Sequence, residues 1–384
     1  MKDTRLNWSL NVAARVFVGL VFVFSGFVKG VDPLGTSYKI TEYLTAWTIG
    51  GLSFEWAIVP FHNISSTAIM AMMLIVAEFT VGILLLTGSF RKLTAWILAL
   101  MMLFFTATTL YDAITNEVTD CGCFGDAVKL TNWQTFWKNI VLDIPTVWIV
   151  LTRGLRQRNR FERDIIITAA AAAAMFFFGF YNINHEPCID FRPWKVGNQM
   201  IDNDPSLQIQ TFVTYRNVKT GETEEMLSSE LVKRMEDPAW EEQWEWESSR
   251  VIDPHEINAP GFSMLDNEMN DHAQELIGSE DSILIVTIHH LELVTPEAAQ
   301  TIVDMSEWAV ENNVRVVLLT ASLGEEVEQF IYDHVLNIDE YYFADATAIE
   351  TIMRSNPGFM LMQGGKVLAK WHHKHLPQEA LMFN

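Results

Sequence analysis

Cysteine is scarce in this chain, which has three in 384 residues: Cys121, Cys123 and Cys188. The thiolate is the nucleophile in thiol exchange, so the part of the chain after Cys188 cannot perform that chemistry by itself. Basic residues are scarce in the second half, where residues 184–384 carry 12 Lys and Arg against 36 Asp and Glu. Phosphate binding needs a basic face, so this acidic half argues against a nucleic-acid partner.

The first half has nearly balanced charge and holds the long apolar runs. Residues 1–183 carry 14 basic and 12 acidic side chains, a net charge of +2, against −24 for the rest. A bilayer core needs about 20 apolar residues per helix, and five stretches come near that length: 8–28, 66–88, 93–113, 136–152 and 164–183. The first lacks a small-x-small cleavage site, which indicates a retained helix rather than a signal peptide. We therefore predict an α-helical membrane bundle of about five transmembrane helices over residues 1–183, surrounded by membrane lipid.

The basic residues around these stretches predict the orientation of the bundle. They precede the first stretch, fill the link between the second and third, and crowd the link between the fourth and fifth: Lys2, Arg5, Arg91, Lys92, Arg153, Arg156, Arg158, Arg160 and Arg163. By the positive-inside rule these segments are cytoplasmic. The links near 29–65 and 114–135, and everything after residue 184, then face the other side. For a bacterial inner membrane that side is the periplasm, where disulfides persist.

The most distinctive link carries the run Asp-Cys-Gly-Cys-Phe-Gly-Asp at residues 120–126. A disulfide needs Cα atoms about 4.4–6.8 Å apart, which Cys121 and Cys123 reach only in a turn. Gly122 tolerates the backbone angles of such a small ring, and a strained disulfide exchanges readily. The motif indicates redox or metal chemistry, and we predict that Cys121 and Cys123 are a catalytic redox pair. The alternative is a polar loop whose two thiols merely pack.

The third cysteine, Cys188, follows the last apolar stretch by a few residues. It therefore lies on the same predicted side of the membrane as the pair. There it could resolve or receive a disulfide as a further catalytic residue, or it could pack alone at the membrane surface.

Three ionisable residues fall inside the predicted spans, where charge is costly and usually functional: Arg15, Glu78 and Asp143. Counted from the cytoplasmic helix ends at 1.5 Å per residue, their depths differ by only ~5 Å. They can therefore form one interior cluster. Such a cluster could bind a quinone cofactor or relay protons, or it could be a structural ion pair that holds the bundle together.

The run R-V-F-V-G-L-V-F-V-F-S-G-F-V-K-G-V-D-P-L-G at residues 15–35, with Glu78 and the C-G-C-F-G-D motif, resembles the DoxX/MauE group of redox-associated membrane proteins. The resemblance covers about residues 8–152. Its matching positions are Arg15, Ser25, Gly26, Lys29, Asp32, Pro33, Glu78, Cys121, Cys123, Gly125 and Asp126. It implies a four-helix bundle, quinone-linked electron transfer and, in the MauE branch, disulfide formation in periplasmic partner proteins. The fifth helix and the long tail exceed that pattern.

Residues 184–259 are typical of a linker, with a hairpin over 206–226 and a tryptophan-rich acidic segment at 236–247 that packs its indoles inward. From residue 260 strands and helices alternate: strands at 283–288, 315–320 and 341–345, helices from 296, at 324–335 and at 346–354, and a final hairpin after Pro357. This order resembles a thioredoxin fold of the TlpA/peroxiredoxin kind, so we predict a soluble α/β thioredoxin-like domain over residues 260–384. Pro357 stands at the family's cis-proline position. Residues 289–294, where the family keeps Cys-x-x-Cys, hold no cysteine.

Histidines near the predicted strand ends invite a metal interpretation: His289, His290, His372, His373 and His375. Their spacings match no standard site and no cysteine accompanies them, so we predict no metal site. The sequence thus predicts an inner-membrane thiol-disulfide oxidoreductase acting through Cys121 and Cys123, with a quinone or a protein partner exchanging its electrons. The competing hypothesis is a non-catalytic subunit or scaffold of an envelope complex, because a cysteine-free thioredoxin-like domain and a tryptophan-rich segment both suit protein docking.

Overall fold

A computed structural model of the chain describes residues 5–49, 52–61, 64–118, 125–128, 130–153, 160–202, 209–237, 240, 242–253, 255–322 and 324–377. The chain divides into two compact units, Met1–Arg192 and Pro193–Asn384. The first is helical, and the second is built on β-sheets. The two classes of element are thus segregated along the chain, as the apolar and acidic halves of the sequence predict.

The first unit contains six α-helices in its described part: α1 Arg5–Val31, α2 Pro33–Ala46, α3 Ser66–Thr87, α4 Arg91–Thr115, α5 Asn132–Thr152 and α6 Phe161–Asn184. Four of them, α1, α3, α4 and α6, are long and apolar enough to cross a membrane. The fourth predicted span, 136–152, forms as the 21-residue helix α5, which is long enough but is not among those four. The asparagines, Lys138 and Asp143 of α5 lower its mean hydropathy. Some of these polar residues, such as Asn132 and Asn139, are buried against neighbouring parts of the bundle.

Successive long helices run in alternate directions. At one end of the unit, Asn11 Nδ2 donates to Thr152 Oγ1 at 2.6 Å, joining the start of α1 to the end of α5. At the other end, Asn182 Nδ2 donates to Gly30 O at 3.0 Å, joining the end of α6 to the end of α1. We call the first the arginine end, after Arg15, Arg91 and Arg153, and the second the loop end. This alternation agrees with a chain that crosses the membrane at each long helix.

Helices α1 and α3 approach each other at backbone distance. A Cβ atom at Gly26 would lie 2.8 Å from the backbone nitrogen of Phe79, and one at Gly82 would lie 2.7 Å from that of Val23. Neither position has room for a side chain. Small residues allow this kind of close packing between membrane helices, so the two glycines fix how α1 lies against α3.

The segment after α1, predicted as a loop, contains helix α2. The side chain of Asp32 accepts a hydrogen bond from Gly35 N at 3.0 Å and Pro33 occupies the first turn, a favourable helix start. Four two-residue strands follow as two hairpins, with a 3₁₀ turn at Glu55–Ala57 between them: β1 Thr48–Ile49, β2 Leu52–Ser53, β3 Pro60–Phe61 and β4 Ile64–Ser65.

The second unit is organised by a five-stranded sheet in the order β10-β9-β8-β11-β12. Its strands are β8 Ile283–Ile288, β9 Arg315–Thr320, β10 Glu340–Phe343, β11 Gly358–Gln363 and β12 Lys366–His372. Strands β8, β9 and β10 are parallel, whereas β11 pairs antiparallel with both β8 and β12. All six residues of β8 are buried, as expected for a strand covered on both faces. The Asn356–Pro357 peptide is cis and leads into β11. This arrangement confirms the predicted α/β thioredoxin-like fold.

The described part of the second unit also contains a 3₁₀ turn at Leu291–Leu293 and these helices: α7 Ser228–Arg234, α8 Ala273–Ile277, α9 Pro296–Glu311, α10 Gly324–His334 and α11 Ala346–Ile352. A separate three-stranded sheet, in the order β6-β5-β7, is formed by β5 Gln210–Asn217, β6 Thr223–Leu227 and β7 Trp244–Ile252. The antiparallel β5–β6 pair is the predicted hairpin. Of the tryptophan-rich segment, Trp240 packs inward, whereas Trp246 is 60% exposed and lies on a third strand that the sequence did not indicate.

The predicted start of this domain at residue 260 is too late. Trp194, Met200 and Ile201 belong to the hydrophobic core on one face of the five-stranded sheet. Met200 N also donates to Gly365 O at 2.7 Å, in the turn between β11 and β12. Residues 193–202 are therefore part of the packed domain, because their apolar side chains complete its core. Part of the predicted linker over 184–259 thus belongs to the domain itself.

Candidate functional site

The loop that carries Cys121 and Cys123 is anchored on both sides, although residues 119–124 lie outside the described part of the chain. On one side, Asn132 at the start of α5 donates through Nδ2 to Val118 O at 2.8 Å and to Asn116 Oδ1 at 3.0 Å. Val118 is fully buried. A single asparagine thus ties the end of α4 and the beginning of the loop to α5.

On the other side of the loop, Gly125 begins a 3₁₀ turn that packs against α1. A Cβ at Gly125 would lie 3.6 Å from Cγ1 of Val28, near the end of that helix. Gly125, the first described residue after the cysteines, therefore lies at the loop end of the bundle.

Asp112 is a buried carboxylate at the same end that the sequence did not single out. It is fully buried near the end of α4, where its Oδ2 accepts from the hydroxyl of Tyr43 at 2.8 Å. Its Oδ1 has no hydrogen-bond partner among the described residues. Tyr43 belongs to α2, so the helix hidden in the predicted loop is what covers this carboxylate. The sequence signal that could have identified Asp112 is its position as an acidic residue near the end of an apolar run.

The ionisable residues of the bundle pair differently from the predicted cluster. Glu78 Oε2 accepts from Lys29 Nζ at 2.7 Å, and these side chains are only 5% and 7% exposed. Arg15 instead donates through Nε to Leu85 O at 2.9 Å, which places it about 10 Å from Glu78 along α3. Asp143 accepts from Thr106 Oγ1 at 2.9 Å. The predicted cluster is therefore wrong: Lys29, which continues α1 beyond its predicted end, is the partner of Glu78.

A polar column on one face of α4 runs from this ion pair towards the loop. The Lys29 ammonium lies 5.6 Å from the ring centroid of Phe105. One turn further, Thr109 Oγ1 accepts from Asn139 Nδ2 at 3.1 Å, and Asp112 lies almost one turn beyond Thr109. Positions separated by four and seven residues share one helix face. Buried polar groups thus follow one another between the ion pair and the stem of the cysteine loop.

Cys188 lies at the loop end, where it contacts the end of α6 and reaches α1 through Asn182. Its backbone N–H donates to Asn182 Oδ1 at 3.0 Å, and Asn182 in turn donates to Gly30 O. The residue is exposed, and its thiol forms no disulfide within the described part of the chain. Val28, which Gly125 contacts, and Gly30 are two residues apart, about 200° around a helix. The described contacts therefore do not bring Cys188 to the cysteine pair, and its catalytic role stays a prediction.

The segment around Cys188 is held by a buried arginine. Arg192 donates through Nε to Asp190 Oδ1 at 2.7 Å and through Nη2 to Glu186 Oε2 at 2.9 Å. Its side chain is 2% exposed. Burial alone would lower the pKa of the guanidinium, but Glu186, Asp190 and the cap residue Asp32 raise it. The cation thus holds the chain after α6 together, and its charge also interacts with Asp32 at the start of α2.

In the second unit, histidines occupy the place where thioredoxins keep their cysteines. Asn356, before the cis-proline, accepts from His289 N at 3.0 Å and donates to His290 O at 2.8 Å. His289 Nε2 lies 3.2 Å from Met353 O, and Ser355 Oγ lies 2.9 Å from His373 Nδ1. The described part of the chain contains no group of three or more His, Cys, Asp or Glu side chains that could hold a metal ion. These contacts join the ends of β8 and β12 to the segment that precedes β11.

We expect His289 to make the second unit sensitive to acid. Burial lowers the pKa of His289 to about 4, with smaller contributions from the nearby charges of His290 and Arg354. The hydrogen bond to the Met353 carbonyl acts in the opposite direction and raises this pKa. The unfolded chain takes up this proton near pH 6.5, so the stabilisation is complete above that pH and is lost as pH falls towards 4. The loss should reach about 3 kcal/mol.

Hydrogen exchange of the β8 and β11 amides in the full chain, corrected for intrinsic rates at each pH, measures this loss. The variant His289→Gln should reduce the slope of stability against pH, whereas His290→Gln, at an exposed neighbouring position, should change that slope much less. An equal slope in the wild type and in His289→Gln would contradict the assignment.

Comparison with known proteins connects the first unit to a family. The family described as Methylamine utilisation protein MauE matches residues 7–152, which confirms the MauE part of the resemblance and leaves the second unit outside the match. No curated protein sequence matches the chain. A solved structure of BsSco, described as a member of the Sco family of cytochrome c oxidase assembly proteins and studied for a disulfide switch, is 15% identical. It aligns with a TM-score of 0.26 over 32% of this chain and 87% of that chain.

Proposed function

We propose that this chain is a membrane thiol-disulfide oxidoreductase whose reactive group is the Cys121–Cys123 pair. The observation that carries the proposal is the anchoring of the loop at both ends, by Asn132 and by the Gly125 contact with Val28. The two cysteines lie in the sequence between these two anchored positions. The match to MauE over residues 7–152 and the four apolar helices support a redox-associated membrane protein.

The reaction balances as two exchange steps. A thiolate of a partner protein attacks the Cys121–Cys123 disulfide and forms a mixed disulfide, and the partner's second thiolate then displaces the loop. The partner loses two electrons and two protons and gains a disulfide, while the loop becomes a dithiol. The potentials of the two couples set the direction, so the same exchange run backwards reduces a partner disulfide.

A lipid-soluble quinone supplies the two-electron, two-proton chemistry that would restore the loop disulfide. The residues present fit such a group, because the buried Lys29 is a hydrogen-bond donor and Glu78 beside it is an acceptor. Thr109, Asn139 and Asp112 provide buried polar groups from this pair towards the loop. In this proposal the loop end faces the periplasm of a bacterial inner membrane, and the basic links face the cytoplasm.

Alkylation trapping of the full chain in native membranes tests the proposal. In a Cys188→Ser variant the loop holds the two remaining cysteines, and we expect them to shift between disulfide and dithiol when quinone is depleted or restored. The matched variant Cys188→Ser with Cys121→Ser should show no shift, and it should trap a partner as a mixed disulfide. The proposal would be contradicted if Cys121 and Cys123 were never found oxidised and if the double variant Cys121→Ala with Cys123→Ala had no effect on the cell. A stoichiometric partner that copurifies with that double variant would favour the scaffold instead.

A further inference from the structure

The arginine end of the bundle contains a cleft that the proposed redox reaction does not use. It is a narrow, partly open cleft between α1, α3, α4 and the end of α5. Its polar lining consists of Asn11, Arg15, Ser89, Arg91, Thr94 and Arg153. Three of these six side chains are guanidinium groups, and none of the described residues that line the cleft is acidic.

Arg15 is the buried centre of this cleft. The residue is 6% exposed, and its Nε caps the end of α3 by donating to Leu85 O. Its Nη1 is buried without a hydrogen-bond partner among the described residues. An unsatisfied buried donor on a charged group is costly, so this atom points to a missing acceptor.

The end of α3 is shaped to admit the guanidinium. Gly88 adopts a left-handed φ of +69°, and a Cβ there would lie 2.9 Å from Arg15 Nη2 and 3.1 Å from Nη1. Glycine is thus required both by the backbone angle and by the space that Arg15 takes. The Arg15 guanidinium thus packs against the chain turn at Gly88.

The other two arginines are held at the rim. The Arg153 guanidinium lies 4.9 Å from the ring centroid of Trp96 and donates to Val150 O. Arg91 opens α4. The nearby Asp164 accepts from Phe90 N at 3.0 Å and from Arg163 at 2.8 Å. The described lining of the cleft thus contains three guanidinium groups and no carboxylate.

We propose that this cleft binds an anionic phosphate group, with Arg15 Nη1 as its buried donor and Arg91 and Arg153 as its rim. Guanidinium forks match phosphate oxygens in geometry and charge. The phosphate can come from an acidic phospholipid, since basic pockets between membrane helices bind such headgroups, or from inorganic phosphate.

Thermal unfolding of the full chain in a non-ionic detergent tests the site and separates the two sources. We expect phosphatidylglycerol to raise the melting midpoint by about 5 °C at saturation, and phosphatidylcholine to leave it unchanged. Inorganic phosphate, compared with chloride at equal ionic strength, should match this shift only if a free anion is the ligand. Equal shifts with both lipids, or no shift with any probe, would overturn the proposal.

Variants that remove one positive charge at a time locate the site. Arg91→Gln and Arg153→Gln should each raise the lipid concentration for half-maximal shift about tenfold. Lys92→Gln removes an equal charge at an exposed position beside Arg91 that does not line the cleft, and it should change this concentration less than twofold. Arg15→Lys, which keeps the buried charge but loses the fork, should weaken binding while the protein still folds. Equal weakening by Lys92→Gln and Arg153→Gln would reduce the effect to general surface attraction and defeat the proposal.

Discussion

Glu78→Gln should lower the free energy of unfolding of the first unit by about 3–5 kcal/mol, because it leaves the Lys29 ammonium buried without its counter-charge. The two groups are 2.7 Å apart and almost completely buried. The double variant Lys29→Met with Glu78→Leu should recover most of this loss, since a well-packed apolar pair can replace a buried ion pair. Thermal unfolding in detergent measures both effects.

The control for this cycle is the pairing that the sequence suggested. Arg15→Gln combined with Glu78→Gln should show additive losses, because Arg15 bonds to Leu85 O and shares no partner with Glu78. Recovery in that double variant would contradict the observed pairing. If the ion pair also takes part in the redox reaction, the Lys29→Met and Glu78→Leu variant should fold and yet leave Cys121 and Cys123 in one thiol state. Unchanged cycling would restrict the pair to a structural role.

Arg192→Met should also cost about 3–5 kcal/mol, because it leaves Asp190 and Glu186 facing each other without the cation between them. Asp32 lies within the same field, so the first turn of α2 should loosen with the chain around Cys188. Hydrogen exchange of peptides covering 32–40 and 185–192 should rise together, whereas peptides from α4 should not change.

Arg250 provides a matched control for this substitution. It makes an equally direct pair with Glu225, at 2.7 Å and 3.1 Å, but its side chain is 57% exposed. Exposed ion pairs are screened by water and contribute little. Arg250→Met should therefore leave the melting midpoint nearly unchanged. A similar loss in both variants would show that removal of any arginine, rather than of the buried one, causes the effect.

The sequence predicts the elements of this protein better than the contacts between them. Apolar runs of sufficient length identify α1, α3, α4 and α6, and alternating strands and helices identify the five-stranded sheet, because both patterns are local. Lys29 was missed as a buried ion because the predicted first span ended at residue 28. The helix continues to Val31, since Asp32 and Pro33 immediately start the next one. Three residues of helix thus decide whether a charge lies outside or inside.

Asp112 and the Trp194 region show the same limit. A carboxylate at the end of an apolar run is ordinarily solvated, and this one is buried because α2 folds over it. Trp194 precedes the sheet by almost ninety residues, yet it belongs to the core around β8. Neither fact is encoded by neighbours along the chain, because each depends on which distant segment covers the residue.

The glycine contacts between α1 and α3 determine more than how closely those helices lie. Gly26 is three residues before Lys29, and Gly82 is four residues after Glu78. A slip of one residue between the helices would move the ammonium 1.5 Å along the axis and turn it by about 100°, away from the carboxylate. By fixing the register of α1 against α3, the two uncharged glycines therefore also fix the alignment of the Lys29 ammonium with the Glu78 carboxylate.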